Sequence, residues 1–224
     1  MIARRLPLFP LPLVLFPGTV MPLHIFEPRY REMLADCRDG DGRFGIILTG
    51  GEPERALPAG HVGCVAELRE VQMLADGRAN VLVEGTRRFA LERLVDAPHA
   101  YHVALVADYD DEPGDDRAAL DDGAQRVRSA FARVARAARA IADDDAPLPD
   151  LPDDPALVAF RVASLVDFDR ADRQALLVSR SPLARLVTVA SLLERAVPGV
   201  EDRAATHRRA RGNGHGPADA FGAA

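Results

Sequence analysis

Arginine supplies all 28 basic side chains of this 224-residue chain, and lysine is absent. Guanidinium keeps its proton at accessible pH, so none of these 28 side chains can act as a general base or form a Schiff base. A phosphate-binding GxxxxGK[ST] loop is excluded as well. Ser129, Ser164, Ser179, Ser181 and Ser191 lack a GxSxG elbow. Gly40-Asp41-Gly42-Arg43-Phe44-Gly45 fits GxGxxG, but its neighbours predict a helix before it and a strand after it, the reverse of a dinucleotide site, so it reads as a turn. The acidic run from Asp108 to Asp116 imitates a calcium loop, yet Pro113 stands where glycine is required and the final glutamate is missing. His24 sits alone between Leu23 and Ile25 and reads as structural; His61, His99 and His102 have no HxxxH or HExxH spacing. Cys37 and Cys64 lack a CxxC neighbour and read as small buried residues of a reducing compartment. The expected catalytic, cofactor and metal residues are therefore none.

The elements that would position any site begin with Leu6–Tyr30, in which apolar residues alternate with Pro7, Pro10, Pro12, Pro17, Pro22 and Pro28. Prolines at this density forbid one long helix and leave short extended segments with frequent turns. Pro17-Gly18 has the chemistry of a type II turn, and Pro28 suits the first position of a helix reaching Cys37. Strands are predicted at Phe44–Thr49, Val62–Leu74, Asn80–Glu84, Arg88–Val95 and Tyr101–Asp108, with an Asp76-Gly77 hairpin turn and a break at Gly85. Gly50–Gly60 reads as a surface loop. About six antiparallel strands at short spacing suggest a small closed or semi-closed β structure.

Beyond Asp108 the pattern becomes helical. Leu120, Val127, Phe131, Val134, Ala138 and Ile141 share one face, opposite Arg126, Arg128, Arg133, Arg136 and Arg139. Asp154-Pro155, Asp169 and Ser181-Pro182 are predicted helix starts. The expected organisation is a β domain over 1–108, a solvated acidic linker over 109–122, a helical bundle over 123–198 and a disordered tail over 199–224. The fold class is thus α+β, a small β-barrel-like domain with one short helix followed by a C-terminal helical bundle.

The hydrophobic fraction of 48% supports a packed core, while a net charge of −6 argues against a role coating nucleic acid. Arg4-Arg5 before an apolar run imitates a secretory leader, but prolines interrupt the run and no small-residue cleavage pattern follows. No apolar segment reaches the ~18 residues of a membrane span, so a cytoplasmic location is expected.

PLFPL, VLFPG, PLHIFEPRYREML and FGIIL, followed by His61-Val62-Gly63-Cys64-Val65-Ala66 and by Val83-Glu84-Gly85-Thr86-Arg87-Arg88-Phe89, resemble the amino-terminal substrate-binding domain of the Lon protease family. DPALVAFRVASLVDF, RQALL and ARL resemble the helical region that follows it. The resemblance implies a PUA-like β domain that helps hold polypeptides for degradation. It does not bring the family's chemistry, because the serine–lysine pair and the ATP-binding lysine of full-length Lon cannot be built from this sequence. The ATPase and protease modules are expected to be absent, and the chain to be no enzyme. The expected partners are unfolded or partly unfolded polypeptides and a separate ATP-dependent protease. Contacts are assigned to the apolar side chains of Leu13, Leu15, Phe16 and Met21, to any unpaired strand edge, and to Arg29 and Glu32 on the Pro28 helix. Two alternatives remain: an RNA-binding PUA-like module using Arg87, Arg88 and the helix arginines, and a peptidase in family name only.

Overall fold

The computed structural model describes residues 4–50 and 57–213 and is α+β, with a six-stranded sheet and five helices. The strands are β1 (Arg4–Leu11), β2 (Val20–Ile25), β3 (Arg43–Leu48), β4 (Val62–Met73), β5 (Ala79–Val95) and β6 (His102–Asp108). Helix α1 (Pro28–Asp39) lies between β2 and β3; α2 (Arg117–Ala142), α3 (Pro155–Leu165), α4 (Arg170–Val178) and α5 (Pro182–Asn213) follow the sheet.

Strand order is β2-β5-β4-β3-β1-β6, and β6 also pairs with β5. The ladder therefore returns to β5 through β4, β3, β1 and β6, closing a ring of five strands with β2 attached outside it. Side chains from all five ring strands, Leu6, Leu8, Ile47, Val65, Phe89, Leu91, Ala104 and Val106, pack together and are buried. Space is tight: a Cβ on Gly63 would lie 2.4 Å from the Phe89 ring. The expectation of uniformly antiparallel pairing fails at one place, since β1 and β3 run parallel, Leu8 opposite Gly45 to Leu11 opposite Leu48. Helix α1 separates these strands in sequence and supplies the crossover that parallel pairing needs.

The Phe16-Pro17-Gly18-Thr19 turn forms as its residues predict. Thr19 N–H and Oγ1 both donate to Phe16 O, at 3.3 and 2.7 Å, and Gly18 has φ +71°. Gly85 does not break its strand: β5 runs through it with a register irregularity just beyond. The glycine lets the chain meet the turn, Gly18 N–H donating to Gly85 O at 2.8 Å and Gly85 N–H to Thr19 O at 2.9 Å.

The acidic segment is only in part a solvated linker: residues 112–114 are exposed, but Asp111 and Asp115 are half-buried and residues 117–122 are helical. Helix α2 already starts at Arg117, with Asp116 accepting from Ala119 N–H at 3.0 Å. Asp115 accepts from Ser181 Oγ and from Leu183 N–H, capping α5 together with Ser181, which accepts from Ala184 N–H. Asp154 caps α3 as expected, while Asp169 precedes α4 without a side-chain bond. The expected tail is also helical as far as Asn213, despite Pro198 inside α5. Val197 and Ala204 are buried on that helix, so packing outweighs the proline's lost hydrogen bond. Residues 214–224 and most of the expected Gly50–Gly60 loop lie outside the described residues.

One apolar core joins sheet and helices. Val14, Phe16, Val62 and Val83 belong to the same buried cluster as Phe160, Leu177, Leu186 and Leu193. Polar bonds cross the seam as well, from Gln174 Nε2 to Val62 O at 3.0 Å and from Tyr109 Oη to Val178 O at 2.9 Å. Both cysteines are free and buried.

Candidate functional site

The proline-rich opening divides between core and surface. Leu15 and Phe16, read as polypeptide contacts, are 1% and 0% exposed. Phe16 stacks on Phe160 with ring centroids 5.5 Å apart, beneath the Arg173 guanidinium. These residues are the seam between sheet and helices, so the contact assignment is corrected for both; the helices that cover them arrive more than a hundred residues later in the chain. Leu13 and Met21 are half-buried and line a groove of about 500 Å³ with Pro22, Phe168 and Arg170. Arg29 lies over the Tyr30 ring at 4.4 Å and its Nε donates to Glu27 at 3.0 Å. Glu32 accepts from Ala100 N–H at 3.4 Å. The six assigned residues thus do not form one patch.

An accessible surface forms instead around β2. Beyond Glu67, β4 outruns its pairing with β3, so β2, the first half of β5 and the end of β4 make a three-stranded arm outside the ring. Among the described residues, strand β2 pairs with β5 alone, and its other edge has no strand partner. Pro22 sits on that edge, where a missing N–H does not break the ladder and guards against indiscriminate pairing. Val20 (52%) and Phe26 (58%) at the ends of β2 and Met73 (51%) at the end of β4 are strongly exposed, as is Val187 (56%) on α5. A hollow of about 460 Å³ crosses all three strands, lined by Pro22, His24, Glu70, Gln72, Asn80 and Leu82 among others. His24 Nδ1 is 2.8 Å from Asn80 Oδ1, and Asn80 Nδ2 donates to Gln72 Oε1 at 3.3 Å, so polar side chains span the hollow. That the proline-rich opening forms short extended segments was legible, whereas an unpaired edge depends on the pairing of distant strands.

The arginines that would serve RNA are largely committed elsewhere. Arg88, 5% exposed, donates to Leu177 O, Ser179 O and Asp111 at 2.8, 2.6 and 2.5 Å. Burial lowers its pKa and the Asp111 carboxylate opposes that shift. Arg185, 1% exposed, holds both Asp111 oxygens at 2.5 and 2.7 Å and stacks over Phe160. On α2, Arg126 and Arg133 grip Glu194 and Glu201 of α5 in two-pronged pairs.

A third constellation joins α1 to the β5–β6 loop. Glu32 and Asp36, one helical turn apart, meet His99 Nδ1 at 3.4 and 3.5 Å. Tyr101 Oη donates to Asp36 Oδ2 at 2.8 Å, and the His99 and Tyr101 rings stack with centroids 4.7 Å apart. Burial and this carboxylate together raise the tyrosine pKa. The spacing of the histidines gave no sign of this cluster, because its carboxylates lie 63 and 67 residues before His99 in the chain.

The fold and surface define an α+β module with a closed ring of strands, a helical cover and a sheet edge at β2 that has no strand partner among the described residues. The chain belongs to the ATP-dependent protease La (LON) substrate-binding domain family, whose model matches residues 5–195. It is similar to a Lon N-terminal domain protein from Xanthomonas campestris, at 26% identity, a TM-score of 0.60 and coverage of 84% of this chain and 98% of that one. The N-terminal domain of a Mycobacterium avium complex Lon protease shares the fold at 18% identity, a TM-score of 0.60 and coverage of 85% and 98%. Lon protease of Escherichia coli is 25% identical over 195 residues, 85% of this chain and 24% of that protein. Lon protease 1 of Herpetosiphon aurantiacus is 25% identical over 198 residues, 81% and 23% respectively. The chain thus spans about a quarter of these curated relatives.

Proposed function

We propose that this chain is a non-catalytic holder of unfolded or partly unfolded polypeptides, acting in the cytoplasm and serving a separate ATP-dependent protease. The observation that carries this reading is the β2 edge, unpaired among the described residues, with exposed Val20 and Phe26 at its two ends. An extended segment laid along β2 gains main-chain hydrogen bonds from the edge and buries alternate apolar side chains against the flanks. Unfolded chains offer both; folded ones have already satisfied their backbone. The family's designation as a substrate-binding domain of an ATP-dependent protease supports this reading. Leu13 and Met21 extend the apolar contact into the adjoining groove, while Arg29 and Glu32 supply at most a separate polar contact on α1.

The test is fluorescence anisotropy of a labelled, permanently unfolded polypeptide titrated with the protein, beside its folded form and a single-stranded RNA. Binding of the unfolded chain alone is expected. Replacing Val20 and Phe26 by serine should weaken it about tenfold, since reburying the exposed half of two such side chains contributes on the order of 1–2 kcal/mol. N-methylation at alternate peptide positions should weaken binding in one register only. RNA binding without polypeptide binding would overturn the proposal.

A further inference from the structure

We infer that Glu32, Asp36 and His99 form a binding site for a divalent transition-metal ion of the zinc class, with α1 and the β5–β6 loop as its two walls. One imidazole nitrogen and two carboxylate oxygens can be presented so that all lie within 4.8 Å of one another. The distances distinguish this arrangement from an ordinary histidine–carboxylate bond. His99 Nδ1 stands almost equally far from a Glu32 oxygen and an Asp36 oxygen, at 3.4 and 3.5 Å. Both exceed the ~2.7–3.2 Å of a good hydrogen bond. Both match the ligand-to-ligand edge of a tetrahedral zinc site, about 3.4 Å for metal bonds of ~2.0–2.1 Å.

Surrounding groups hold two of the three ligands in place: Tyr101 Oη fixes the Asp36 carboxylate, and stacking on Tyr101 fixes the plane of the His99 ring. Such outer partners orient ligands and raise affinity at metal sites. Asp36 and His99 are exposed and Glu32 half-buried, so an ion and the water that completes its coordination can reach the cluster from solvent. The mixed nitrogen–oxygen set favours zinc-class ions over calcium or magnesium, which take all-oxygen shells. Without a cation, two carboxylates one turn apart on α1 repel each other. A bound ion removes that repulsion and staples the loop to the helix. It also withdraws Glu32 from any polypeptide contact, although the site itself does not depend on the polypeptide-holding reading.

The experiment is calorimetric titration of the chelator-stripped full chain with zinc chloride, with and without excess magnesium. One ion per chain is expected, at an affinity unaffected by magnesium. His99→Ala, Glu32→Gln and Asp36→Asn should each weaken binding at least tenfold. Tyr101→Phe should weaken it by about tenfold or more through the ligand it orients. His207→Ala, a control at the separate His207–Asp143 pair, should leave it unchanged. Zinc should also slow amide exchange in residues 96–101 of the wild type but not of the His99 variant. Far-UV circular dichroism in chelator establishes that each variant is folded. Undiminished binding by His99→Ala and Asp36→Asn, or no binding by the wild type, overturns the inference.

Discussion

Asp111 has an unusual task for one carboxylate, because it is the acidic partner of two buried guanidiniums, Arg88 from β5 and Arg185 from α5. Backbone oxygens of Leu177, Ser179 and Ala156 satisfy further donors of this pair. Removing the carboxylate leaves two positive charges facing each other without a counterion. Asp111→Ala should therefore lower the unfolding free energy by about 3 kcal/mol or more, the usual cost of breaking a buried charge network, as measured by urea denaturation. The thiols make a second prediction. Burial, with Asp41 and Asp36 adding, pushes the Cys37 pKa up to about 12, and burial raises that of Cys64 too. Neither should react with a disulfide reagent at pH 8 until the chain is unfolded. Above pH 9 an unfolded thiol releases a proton that the folded one keeps. Stability should therefore fall as pH rises from 9 towards 12, visible as a declining urea midpoint.

At the scale of elements, the closest junction is between the Pro17-Gly18 turn and β5. A Cβ on Gly85 would lie 2.2 Å from Phe16 O, a backbone atom that cannot swing aside. Gly85→Ala should destabilise by at least the ~1–3 kcal/mol typical of overpacking, and lower the melting temperature accordingly. The sequence shows why such a position is hard to read. Glycine in a strand signals a break, a bulge or a close approach, and the choice rests on what lies opposite, here a turn nearly seventy residues earlier. The strands after α1, the hairpin and four of the five helix starts were legible because they depend on local pattern and turn chemistry. The parallel β1–β3 pairing and the unpaired β2 edge were not, since each is a relation between distant elements. The arginine stripe of α2 shows the same division: its spacing was plain, but its partners Glu194 and Glu201 each lie 68 residues further on. This constant offset makes α2 and α5 parallel neighbours. Their ion pairs are exposed, so added salt should weaken them while the apolar seam beneath persists. The metal cluster escaped notice for the same reason as the ion pairs, its histidine lying far along the chain from its carboxylates.

For the molecule as a whole, the question is whether sheet and helices are one cooperative unit, and the seam between them decides it. Phe16 and Val14 from the opening, Val62 and Val83 from the ring, and Phe160, Leu177 and Leu193 from the helices share one buried cluster. Cutting the chain after Asp108 would expose the first four of these and deprive Arg88 of Asp111, Leu177 and Ser179. Such a fragment loses apolar burial and the partners of a buried charge together, which leaves a β ring of this size little margin. The intact chain should accordingly unfold in a single transition. Its composition offers a test: there is no tryptophan, and of the three tyrosines Tyr30 and Tyr101 report on the β half while Tyr109, bonded to Val178 O, reports on the seam. Ellipticity at 222 nm reports mainly on the helices. In urea the tyrosine fluorescence and the ellipticity should change at one midpoint, and limited proteolysis should spare Asp110–Asp116 while the protein is native. Two separated midpoints would mean that the seam is a contact between independent domains. In that case Asp111→Ala would part the halves without unfolding either, whereas in a single unit it must lower both signals together.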